Sequence, residues 1–179
     1  FNNAKQLVDH GHKVIAFVIK GSKLESSLKK FAIPCQYFYE SESTKTLSAK
    51  LLTACKAIAA DTVIGITMPQ LAAAKEVRTH LPINIICERH TPVTNVAPPI
   101  LVPNIMKDID GVICVSPTME EQMKQYNKEH QLNIPHITFI APFADQQKFL
   151  DFQTSQTKQE FFKKNFNITL RRIPIICMI

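Results

Sequence analysis

The stretch "ICERHTP", residues 86–92, places Glu88, Arg89, His90 and Thr91 at the end of an apolar run. A carboxylate, a guanidinium, an imidazole and a hydroxyl in succession can bind and orient a polar ligand. His90 could donate to a phosphate or a sugar hydroxyl, or act as a general acid or base near neutral pH. Glu88 could pair with Arg89 or hold His90 in one tautomer. The competing reading is a loop whose charges pair with one another while His90 caps a carbonyl, and residue types alone leave both readings open. A second stretch, "CVSPTMEE" (114–121), offers Ser116 and the free amides of Thr118 and Met119 at a helix N-terminus, where anions bind readily. There the alternative is a cap with purely structural work.

The elements that must position these residues recur with a regular beat. Phe1, Ala4, Leu7 and Val8 mark one face of a first helix that Gly11 ends. The runs "KVIAFVI" (13–19), "CQYFY" (35–39), "TVIGI" (62–66), "INIICE" (83–88), "GVICVS" (111–116) and "HITFIA" (136–141) read as strands. Helices are expected over 22–31, 45–59 and 69–80, the last opened by Pro69. Ser116 caps a further helix, with Pro117 first, Glu120 and Glu121 early, and Lys124 and Lys128 late, a charge order that suits the helix dipole. Residues 89–104 read as irregular and proline-rich. Thr157 and Glu160 form a capping box for a helix to about Phe166, and "IPIICMI" (173–179) reads as a strand buried on both faces.

Continuous apolar strands alternating with helices, without hairpin signals, predict an α/β fold. The expectation is a Rossmann-like three-layer sandwich around a mostly parallel sheet, with right-handed crossovers placing helices on both faces. Ligands of such sheets bind beyond the carboxyl ends of the strands. That rule singles out Lys20 and Gly21, Tyr39 to Glu42, Thr67 and Met68, Glu88 to Thr91, Ser116 to Thr118, and Ala141 to Asp145.

A chain of 179 residues can bury a full core, and 45% apolar with 20% charged residues is ordinary for a globular protein. No apolar run is long enough for a transmembrane helix. There is no signal peptide at the start, and the first residue is Phe1, so a processed or cut chain is expected. The net charge of +6 is spread over many segments. Without a long basic run or interleaved aromatics, a solvated basic surface is expected rather than a nucleic-acid site, with room for attraction to an anionic membrane face. Five cysteines with no CxxC pair suggest buried, reduced thiols in a cytoplasmic protein and no metal site. Glycine-rich phosphate loops, a GxSxG elbow and an HExxH motif are all absent. Met119, Met123 and Tyr126 share a helix face and read as core. His10, His12, His80, His130 and His136 fall at element ends and carry no assigned chemistry.

Five stretches, in order, resemble the glycosyltransferases of family 4 (group 1). They are "AKQLVDHGHKVIAFV", "IAADTVIGITMPQLAAAKEVRTHLPINIICERHTP", "DIDGVICVSPTMEEQM", "HITFIAPFADQQKF" and "FFKKNFNITLRRIPIICMI". The resemblance implies the N-terminal half of a GT-B fold, in which two Rossmann-like domains face each other across a cleft. Residues 1–150 would be the acceptor-binding domain, 151–172 a linker and helix, and 173–179 the first strand of a truncated C-terminal donor domain. A first strand with a glycine-rich loop is expected before Phe1. The segment 173–179 is then expected to be disordered or to borrow a sheet edge, in one version the slot of that first strand.

The activity implied is transfer of a sugar, with retention, from a nucleotide-sugar donor to a saccharide or lipid-linked acceptor, as in polysaccharide or lipopolysaccharide biosynthesis. The nucleotide-sugar is a co-substrate held mainly by the donor domain. No other cofactor and no metal is implied, and this chain alone is expected to transfer little or nothing. His90 matches the family histidine that contacts the donor sugar and is the expected catalytic residue. Ser116 matches a serine lining the same cleft. Glu88, Arg89, Thr91, Thr67, Met68 and Thr118 complete the expected substrate-binding set, although many members carry other polar residues at the loop of Thr67 and Met68. Asp145 matches a structural aspartate of the linker signature, whose Asn-Gly is here Phe143-Ala144. The expected partners are the acceptor and the nucleotide-sugar, with no nucleic acid, in the cytoplasm and with contact to the inner membrane face. Two alternatives stay open: another GT-B enzyme such as a nucleotide-sugar 2-epimerase, and a non-enzymatic α/β binding module.

Overall fold

The computed structural model describes residues 2–39, 41–91 and 101–140. The chain divides into two units, Phe1–Pro142 and Phe143–Ile179. The linker and helix of 151–172, the strand of 173–179, Asp145 with the Phe143-Ala144 turn, and Cys177 all lie outside the described residues.

Among the described residues six strands alternate with six helices, and every strand pairing is parallel. This is the expected Rossmann-like α/β arrangement. The helix α1 (Asn2–Asp9) leads into β1 (Ala16–Ile19), α2 (Lys23–Lys29) and β2 (Cys35–Phe38). Then come α3 (Thr44–Ile58), β3 (Thr62–Gly65), α4 (Met68–Arg78) and β4 (Asn84–Arg89). The series closes with α5 (Leu101–Met106), β5 (Gly111–Cys114), α6 (Pro117–Glu129) and β6 (His136–Phe139).

Local chemistry explains the boundaries. Gly11 ends the first helix with φ +86°, a left-handed conformation suited to glycine. Ser22, Ser43 and Ser116 cap α2, α3 and α6, each accepting from the backbone amide three residues on. With few glycines in the chain, Ala59 takes the left-handed position after α3, at φ 52°. The helix α5 was not expected, because the segment reads as proline-rich. Its Pro103 falls in the first turn, where no intrahelical amide is needed.

One expectation changes among the described residues: instead of one sheet there are two, β1–β2 and β3–β4–β5–β6 in that order. Each has its own core: Val18, Leu28 and Ile33 form one, and a larger cluster forms the other. The 15-residue α3 carries the chain from β2 to β3, and among the described residues β3 pairs only with β4.

Register assigns the faces of the larger sheet. Ile85, Cys87, Val112 and Cys114 share one face and are buried with Cys55 of α3, Leu71, Ala74 and Val77 of α4, Met106 of α5 and Met123 of α6. Burying this face supplies most of the stabilisation, at roughly 1.5–3 kcal/mol per large apolar side chain. Ile64, Ile86 and Ile113 lie on the opposite face, and Ile64 is 43% exposed. The described helices that cluster with this sheet pack against the first face, so the expected cover on both faces is seen on one among the described residues.

The amino edge of the larger sheet is clamped from α4. Arg78 donates from Nε to Ile83 O at 3.1 Å and from Nη1 to Asp108 O at 2.8 Å, and its Nη2 pairs with Asp110. Lys75 donates to Asn104 O and Lys107 O, tying α4 to the end of α5. The carboxyl edge is thereby left as the end where side chains can serve a ligand.

Candidate functional site

The carboxyl ends of β3, β4 and β5 lie side by side, with Gly65, Cys87 and Val112 in register. Adjacent strands are about 4.8 Å apart, so Thr67, the residues after Cys87, and Ser116 form one edge. Strand alternation sorts them. Glu88 and His90 fall on one face, with His90 Nε2 at 3.1 Å from Glu88 Oε1. The Glu88 side chain is 16% exposed and the His90 ring 51% exposed. A carboxylate partly withdrawn from water thus holds a ring that faces solvent.

Arg89 goes the other way. It is buried on the helix-covered face, and its Nη2 donates to Thr91 O at 2.8 Å. Its charge acts on Cys87, Cys114 and Tyr126, opposing the burial that raises all three. For Cys87 burial wins, pushing the thiol up to about 12. The four described cysteines are free thiols. Arg89 therefore shapes the 89–91 backbone from beneath, and Thr91 itself is exposed.

Thr67 is exposed at the start of α4, where Gln70 Oε1 accepts from the amides of Ile66 at 2.9 Å and Thr67 at 3.1 Å. Met68 packs against the large core instead of facing the edge. Ser116 Oγ accepts from Met119 N at 3.2 Å. The amide of Met119, expected to be free for an anion, is therefore used by the cap, and its side chain packs on the core. Thr118 is exposed in the first turn of α6. The structure thus gathers Thr67, Glu88, His90, Thr91, Ser116 and Thr118 at one edge and withdraws Arg89 and Met68 from it.

The chemistry of the pair follows from hydrogen-bond roles. A neutral His90 that meets the Glu88 carboxylate through Nε2 must carry its proton there, which leaves Nδ1 as an acceptor. Protonated, the same ring donates from Nδ1. No family model, curated protein or solved structure matches the chain. Among the described residues no group of three or more His, Cys, Asp or Glu is placed to hold a metal ion, and no helix is long and apolar enough to cross a membrane.

Residue-type reasoning missed a second polar centre. Glu25, on α2, is only 7% exposed. Lys29 pairs with it, Gly21 N donates to it at 2.6 Å and Tyr37 Oη at 2.8 Å. These donors, Lys29 foremost, lower its carboxyl to about 2. Gly21 and Lys29 lie four residues to either side of Glu25, but the third partner, Tyr37, comes from the following strand, so the centre as a whole is not marked locally.

Proposed function

We propose that this chain is the acceptor-binding N-terminal domain of a retaining GT-B glycosyltransferase, which transfers a sugar from a nucleotide-sugar to a saccharide or lipid-linked acceptor. The observation that carries the reading is the Glu88–His90 pair at the carboxyl end of β4, inside a parallel α/β sheet and on the edge where such sheets bind ligands. Glu88 fixes the ring, and Nδ1 is the atom left to meet a sugar hydroxyl. Thr67, Thr91, Ser116 and Thr118 carry further hydroxyls at the strand and helix ends of the same edge. Orienting a sugar by several such contacts is how a site of this kind favours one attack geometry. The order of the five resembling segments supports the same reading. The nucleotide-sugar is a co-substrate of the paired domain arrangement, and the chain's own residues supply positioning.

The test is calorimetric titration of the full chain with neutral oligosaccharides and, separately, with UDP- and GDP-sugars. Saccharide binding tighter than nucleotide-sugar binding, weakened in His90→Ala, supports the reading. Absence of binding to either class refutes it.

A further inference from the structure

The outer surface of α1 and α2 belongs neither to the Glu88–His90 edge nor to the large core. Residues 1–34 hold six lysines but only two acids, Asp9 and Glu25. Lys5 pairs with Asp9, and Lys29 pairs with Glu25. Lys23 and Lys30 are exposed and pair with no carboxylate among the described residues. The surface thus stays basic after its own ion pairs have formed.

Apolar side chains run between these charges. In α2, Glu25 and Leu28 turn inward. Phe31 N donates to Leu28 O at 3.0 Å, so the helical turn carries on to Phe31. Leu24 and Phe31 are seven residues apart and share one stripe, at 42% and 41% exposed. Lys23 and Lys30, at the same spacing, form the adjoining stripe toward solvent. The helix α1 borders the apolar stripe at Phe31, where Lys5 Nζ lies 5.5 Å from the ring centre. Val8, one turn along α1 from Lys5, is 37% exposed.

The charge and the apolar stripe call for the same partner. Leu, Phe and Val can enter the boundary between lipid headgroups and acyl chains. The long lysine stems then let the ammonium groups stay with anionic headgroups. A protein partner fits less well, because lysine is depleted at protein–protein interfaces. A nucleic acid would use the lysines through its phosphates but leave Leu24 and Val8 without a contact.

We infer that the outer face of α1 and α2 docks on the surface of an anionic lipid bilayer, with Val8, Leu24 and Phe31 entering it between Lys5, Lys23 and Lys30. The inference goes beyond the proposed function and stands without it, since it needs neither a saccharide nor His90.

The experiment pellets the full chain with vesicles of phosphatidylcholine alone, or of phosphatidylcholine mixed with phosphatidylglycerol, at low and high salt. Wild type is compared with Leu24→Ser, with the double variant Lys23→Gln and Lys30→Gln, and with a control double variant, Lys45→Gln and Lys56→Gln. The control removes the same charge from α3, and each variant is checked for folding by circular dichroism. Wild type is expected to pellet with the anionic vesicles and not the neutral ones, and to be released by salt. Loss of Lys23 and Lys30 should weaken binding about tenfold or more. Leu24→Ser should weaken it severalfold, and the control should stay close to wild type. No pelleting of wild type with anionic vesicles, or equal pelleting with neutral ones, overturns the inference. Equal losses in the two double variants also overturn it, because binding would then follow net charge alone. Binding unchanged in Leu24→Ser overturns the insertion of the apolar stripe. A single-stranded DNA oligomer bound more tightly than the vesicles, with Leu24→Ser without effect, overturns the bilayer in favour of nucleic acid. None of these outcomes bears on saccharide binding at His90, so the proposed function stands or falls separately.

Discussion

Arg78→Ala removes the clamp on the amino edge of the larger sheet. One guanidinium joins the end of α4 to Ile83 O, Asp108 O and Asp110, and Asp110 Oδ2 in turn accepts from Ile85 N at 2.6 Å. Truncation leaves two carbonyls without a charged donor and Asp110 without its cation. A hydrogen bond to a charged group contributes about 1.5–3 kcal/mol when water is excluded. The Arg78 side chain is 28% exposed, so water recovers part of that loss, and the ion pair adds only about 0–1 kcal/mol. The expected destabilisation is about 2–4 kcal/mol, or a fall of about 5–15 °C in Tm for a chain of this length. Arg78→Lys keeps the charge but not the planar fork, so it should recover only part of the loss. Urea unfolding followed by circular dichroism measures this, with an unchanged slope indicating an unchanged unfolding transition. Saccharide affinity well below Tm should not change, because the clamp is at the opposite edge from His90. A loss of less than about 0.5 kcal/mol in Arg78→Ala would refute the clamp, since such a value is typical of a surface substitution.

Three further outcomes follow from the geometry. Glu25 has a folded-state value of about 2 against an ordinary 4.5, so its contribution is complete above about pH 4.5 and is lost as pH falls toward 2; Glu25→Gln should lower Tm at pH 6 and flatten its decline between pH 5 and pH 2. Cys87 is fully buried with its thiol pushed up to about 12, so iodoacetamide at pH 8 should leave it unmodified in the native chain and label it after urea unfolding, as read by peptide mass mapping. Gly65→Ala would place a Cβ 3.0 Å from Leu71 Cδ2, so it should destabilise by about 1–2 kcal/mol in the same urea assay by prising α4 from β3.

Much of the fold was legible because it is local. Apolar runs marked the six described strands, and serine caps and Gly11 marked helix ends, since caps and turns are decided within a few residues. The split into two sheets was not legible, because strand pairing between β1 and β3 depends on spacing that no short segment encodes. The helix α5 was hidden by Pro103, which the first turn tolerates. At the site, "ERHT" read as one patch, yet a strand's period of two sends Arg89 to the buried face with Cys87 while Glu88 and His90 share the other. That division could have been read from the alternation of Ile85, Cys87 and Arg89. The Met119 amide was offered to an anion with a structural cap as the alternative, and Ser116 makes that cap. Tyr39 and Glu42 were singled out at the end of their strand, but Lys50 was not, because it reaches back from the next helix to Tyr37 O and Glu42.

Backbone amide NMR of the full chain, recorded while a trisaccharide and then UDP-glucose or GDP-mannose are added, tests the central claim most directly. The account predicts perturbations concentrated at the carboxyl edge, at Thr67, Glu88 to Thr91 and Ser116, with saccharide bound more tightly than nucleotide-sugar and the response at Glu88 to Thr91 lost in His90→Ala. Perturbations confined to the amino edge around Arg78 and Asp110, or a response at Glu88 to Thr91 unchanged in His90→Ala, would contradict it.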